Sequence, residues 1–165
     1  MTALIQRLLG IVVLRYGPQD IPAGTSVLLA TVAIYMVSAA VSLNMGSPSG
    51  SPTMILLLAT GLPMALTWIL LSTKGKTSRW EQTLSALYGT SALLSLLSLP
   101  LNIPTGAEPL PLVVLLSLVI FLWSFAVDAH IWRHALDISF AAGLAVAMIM
   151  FLISFGIISS VAGPL

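Results

Sequence analysis

The ten residues Asp128–Asp137, "DAHIWRHALD", hold both histidines of the chain, two aspartates and an arginine between long apolar runs. His130 and His134 are four apart and Asp137 follows three later, so on a helix the three share one side. Imidazole nitrogens and a carboxylate are ordinary ligands of zinc or non-haem iron, and the spacing therefore allows a metal site. A zinc-protease helix needs a glutamate directly after its first histidine as general base, and Ile131 stands there instead. A membrane oxidase or hydroxylase recruits further histidines, which this chain lacks. The remaining carboxylates are Asp20, Glu81, Glu108 and Asp128, with Glu108 expected at the opposite membrane face. The simpler reading makes Asp128–Asp137 a short cytoplasmic connection between two spans. Trp123 and Trp132 then lie at the interface, where indoles are favoured, and Asp137 caps the amides of the following helix. That reading requires no metal and no cofactor.

The elements that position this stretch follow from composition. Of 165 residues, 58% are hydrophobic and 7% charged, against about 25% charged in soluble domains. Such a chain cannot cover a water-facing surface, and the lipid bilayer is its expected surrounding. With no cysteine, disulfides and thiolate metal sites are excluded, and a net charge of +1 gives no footprint for nucleic acid.

Crossing about 30 Å of hydrocarbon takes roughly 20 apolar residues as a helix. Five segments qualify: Ser26 to Leu43, Thr53 to Leu71, Thr83 to Pro100, Leu110 to Val127 and Ile138 to Ser160. Turn formers divide them, notably "NMGSPSGSP" after the first and "NIPTGAEP" after the third. The expected fold is all-α, a bundle of five transmembrane helices over residues 26–165. A cytoplasmic segment, residues 1–25, precedes it. Within that segment Ala3 to Leu14 is too short to cross, contains Arg7 and sets Ile5, Leu8, Leu9 and Val12 on one face, the pattern of a retained interfacial helix. Pro18 and Pro22 then stop it.

Lys and Arg set orientation, because basic loop residues stay on the cytoplasmic side during insertion. Arg7 and Arg15 precede the first span, Lys74, Lys76 and Arg79 lie between the second and third, and Arg133 lies between the fourth and fifth. The alternate loops have none. The N-terminus is expected in the cytoplasm and the C-terminus outside.

The polar residues within the spans are mild. Ser91, Ser95 and Ser98 fall on one face of the third span, and small side chains with hydroxyls suit helix–helix contact, as do Gly143 and Ala147 in the fifth. The alternative is a polar strip lining a solute path, which normally includes an ionisable group at mid-depth. With Asp128 assigned to a loop, no span supplies one. Pro63 bends the middle of the second span, a feature of gates and of purely structural helices alike.

Five spans, "YGP" at Tyr16, Gly17 and Pro18, and "ALYGTSALLSLLSLP" from Ala86 to Pro100 resemble the Yip family of membrane proteins, named for interaction with Ypt/Rab GTPases. The stretch "FLWSFAVDAHIWRHALDISFAAGLAVA" is similar to the bacterial branch. Leu14 and Arg15 stand where the family commonly has an acidic residue before Tyr-Gly-Pro. The resemblance implies a non-enzymatic component of the bacterial inner membrane that works by binding other membrane proteins or a second copy of itself. Tyr16, Gly17, Pro18, Lys74, Lys76 and Arg79 are its expected partner-binding residues. A small transporter or channel subunit and a metal-binding membrane enzyme at His130, His134 and Asp137 are the alternatives.

Overall fold

The computed structural model describes residues 2–46, 50–103 and 110–162. Among them are six α-helices and no strand: α1 (Thr2–Val12), α2 (Thr25–Gly46), α3 (Pro52–Thr73), α4 (Trp80–Ser98), α5 (Pro111–Leu136) and α6 (Phe140–Ala162). Five of them, α2 to α6, are long and apolar enough to cross a membrane. Prolines at the first helical position start α3 and α5, where a missing amide costs nothing. Gly75, in the left-handed region at φ 66°, closes α3 and lets the Lys76 amide reach the Leu71 carbonyl at 2.8 Å. Parts of both turn-rich linkers, Glu108, and the last three residues of the C-terminal "VAGPL" lie outside the described residues.

The least hydropathic span, α4, stands at the centre and contacts α1, α2, α3 and α5. Its buried face is mostly small and hydroxyl side chains, including Ser85, Ala86, Gly89, Thr90 and Ala92, with Leu84, Tyr88 and Leu94 among them. Lipid solvates leucine as well as protein does, so the more apolar helices are left outside and close approach of small residues decides which helix is central. Gly143 brings α6 onto α5: a Cβ there would lie 2.4 Å from the Ala129 carbonyl oxygen. Ala147 is buried one turn later.

Two expectations change. Helix α1 packs against α4 and α5 through Leu8 and Ile11, while Ile5 and Leu9 are exposed. Gly89 makes room for Leu8, whose side chain would meet any Cβ at that position within 2.5 Å. The expected apolar face thus divides, Leu8 turning to protein and Ile5 and Leu9 facing outward.

The second change concerns α5, which does not stop at Val127. Residues 128–136 continue it as more than two further helical turns. A run of polar side chains does not end a helix when the backbone bonds are still made within it. The helix ends instead at Asp137, left-handed at φ 56°, with the Ile138 amide on the Arg133 carbonyl at 3.1 Å. Ser139 takes the capping role expected of Asp137, accepting from the Ala142 amide at 3.2 Å.

Candidate functional site

Extending α5 moves Asp128 from a loop into a span. It lies eight residues before the helix end at Leu136, about 12 Å along the axis at 1.5 Å per residue. There it lines a cavity of about 300 Å³ bounded by α2 to α6. The spans therefore do hold an ionisable group at depth, against expectation, because α5 continues past Val127. Trp132, one turn on and 2% exposed, lines the same cavity rather than the membrane interface.

The far wall is shaped by Pro63. Having no amide proton, it leaves the Ala59 carbonyl without its helical partner. The Tyr35 hydroxyl of α2 donates to that carbonyl at 3.5 Å, and the Tyr88 hydroxyl of α4 donates to the neighbouring Thr60 carbonyl. The two rings stand 5.0 Å apart at 52°. On the α6 side Phe151 and Phe155 stack at 5.8 Å. Ser91, Ser154 and Thr67 add hydroxyl groups, and among the described residues no Lys, Arg or His lines the cavity. Both ion pairs among the described residues belong to Asp137, and Asp128 has no ionic partner among those residues.

The serine stripe divides its roles. Ser95 meets Ser42 of α2, oxygen to oxygen, at 3.1 Å, Ser98 donates to the Ser95 carbonyl at 2.8 Å, and Ser91 faces the cavity.

The opening stretch also divides. His130 Nε2 donates to the Tyr16 carbonyl at 3.0 Å, which fixes the proton on that nitrogen. His134 stands against it edge to face at 4.6 Å and borders a second, polar cavity of about 300 Å³ with Arg79, Gln82 and Asp137. Asp137 accepts from Lys76 at 2.5 Å and from Arg79 at 2.8 Å. These bonds, that to Lys76 foremost, hold its carboxyl below the usual carboxylate range. Among the described residues no three His, Asp or Glu side chains gather in metal-binding geometry. What His130, His134 and Asp137 do here is join α5 to the N-terminal segment and to the α3–α4 turn.

The same contacts occupy the expected partner-binding residues. Lys76 and Arg79 also donate to the carbonyls of Leu136, His134 and Ala135, capping the end of α5. Pro18 is buried, the Gly17 amide donates to the Asp20 carboxylate at 2.7 Å, and the Tyr16 ring lies on Gly10. Arg7 donates to the Asp20 carbonyl and Gln82 to that of Ile21 at 2.8 Å, tying the segment to α1 and α4. Lys74 enters no ion pair among the described residues.

Compared with family models, curated proteins and solved structures, the chain matches none.

Proposed function

We propose that the protein is a small transporter subunit that holds its solute in the intramembrane cavity at Asp128. The observation that supports this is a carboxylate inside a bundle of apolar helices, facing open volume, with no basic side chain around it among the described residues. Ionisable groups are expensive at such depth and mark ion or solute paths. Pro63, which lines the same cavity, interrupts the α3 hydrogen-bond ladder and gives that helix a place to flex. Five helices enclose little volume, which favours an oligomer. We place the subunit in a bacterial inner membrane with the basic end, residues 1–25 and 74–79, in the cytoplasm, following the one-sided Lys and Arg.

The partner-binding reading that goes with the Yip resemblance has less support, because Tyr16, Gly17, Pro18, Lys76 and Arg79 are engaged within the chain. Lys74 is the member left to meet a partner.

Labelling with N-ethylmaleimide tests the cavity without knowledge of the solute, since the chain has no cysteine of its own. Thiols react with it as thiolates, which need water. Ser154→Cys, at the cavity, is expected to react, and Leu152→Cys, 61% exposed on the outer face of the same helix, is expected to stay unlabelled in lipid. A silent Ser154→Cys would remove the cavity as a working site.

A further inference from the structure

The substrate class follows from the cavity wall, given that the cavity is the working site. We infer that it takes a small lipophilic organic cation, an amine or quaternary ammonium with apolar substituents.

Charge is the first reason. Asp128 is the carboxylate among the lining residues, and no cationic side chain among the described residues accompanies it. The two tyrosine protons nearest at hand are already given to the Ala59 and Thr60 carbonyls. Beside a neutral ligand the carboxyl must take up a proton to avoid an uncompensated charge in a low dielectric, whereas a cation pairs with its ionised form.

The rings are the second reason. Tyr35, Tyr88, Trp132, Phe151 and Phe155 surround the cavity that Asp128 enters. Aromatic faces attract an ammonium electrostatically and tolerate its apolar substituents, which is how quaternary ammonium groups are recognised. A bare divalent cation is poorly served, because calcium asks for about six to eight oxygen ligands and this wall offers few polar groups.

Size and sign narrow the class further. A volume of about 300 Å³ lies at the bottom of the range of about 300–1,000 Å³ for ligand pockets, so the cation is small. A lipid choline or ethanolamine headgroup would bring its phosphate against Asp128 with no Arg or Lys to receive it. A free cation avoids that repulsion.

The experiment is equilibrium dialysis of the purified full-length protein in a neutral detergent at one pH, with radiolabelled benzyltrimethylammonium as probe. Its carbon isostere, neopentylbenzene, and a short-chain phosphatidylcholine serve as competitors, and the isostere is also dialysed alone in radiolabelled form. The expected result is saturable binding that neither competitor displaces, weakened about tenfold or more by Asp128→Asn and retained by Asp128→Glu. Displacement by neopentylbenzene at similar concentration, or unchanged binding by Asp128→Asn, overturns the cation while leaving a cavity that binds apolar solutes. Displacement by phosphatidylcholine overturns the free cation in favour of a lipid headgroup. Absence of saturable binding by probe and isostere alike overturns both this inference and the cavity reading. The comparison of cation with isostere is made on the wild-type chain, so it stands even where a variant misfolds.

Discussion

The Tyr35 hydroxyl on α2 donates to the Ala59 carbonyl on α3, the acceptor that Pro63 has left without its helical amide. Tyr35→Phe is expected to cost about 0.6 kcal/mol, the mean for a side-chain hydrogen bond within a membrane bundle. In a Pro63→Ala background residue 63 can donate to Ala59 itself, and the cost should fall to near zero. Detergent-unfolding titrations of the four proteins check this, and equal costs in both backgrounds would show that the proline and the tyrosine are not coupled.

Asp137 makes stability depend on pH with a definite sign. Its carboxyl titrates below the ordinary value of 3.8 because Lys76 and Arg79 bind the ionised form. A depressed folded-state pKa gives stability that is present above the unfolded value and is lost as pH falls through the folded one. Thermal melts of the wild type below pH 3.8 should therefore lose a component that Asp137→Asn lacks at every pH. Asparagine tolerates the left-handed backbone at this position, so the comparison isolates the charge. Added salt should shrink the difference, as the pair is exposed.

Glycines of α6 differ in what surrounds them. Gly143→Ala places a Cβ against the Ala129 backbone and is expected to destabilise by about 1–3 kcal/mol through forced separation of α5 and α6. Gly156→Ala meets nothing within 4 Å and should be neutral or stabilising. Unfolding midpoints of the two variants are the readout.

His130 anchors the turn after α1 through the Tyr16 carbonyl. His130→Ala leaves that carbonyl unpaired, and a lost hydrogen bond of about 1 kcal/mol should speed tryptic cleavage at Arg15 about fivefold. Cleavage within the α3–α4 turn, at Lys74, should be unaffected.

The five spans were legible because length and apolarity alone decide what crosses a membrane, and their ends fall close to those of α2, α3, α4 and α6. The end of α5 was not. Asp128, His130, Arg133 and His134 in seven residues look like a loop as a string. On the helix they part to different sides: Asp128 and Trp132 to the cavity, His130 to the N-terminal segment, Arg133 to the exposed surface. Spacing carried some of this, since Asp128 and Trp132 are one turn apart, as are His130 and His134. The cavity itself was beyond reach, because it is made by four other helices and depends on how α4 packs at their centre. Lys76 and Arg79 show the same limit: basic character set the expected orientation, while their contact with Asp137 comes from the fold.

The most direct test of a transporter at Asp128 is to label Ser154→Cys with a small membrane-impermeant methanethiosulfonate, added to either face of oriented vesicles, with Leu152→Cys as control. A cavity that alternates between faces should be modified from both sides while the control stays unlabelled. Labelling of Ser154→Cys from one face alone, or from neither, would contradict transport through this cavity.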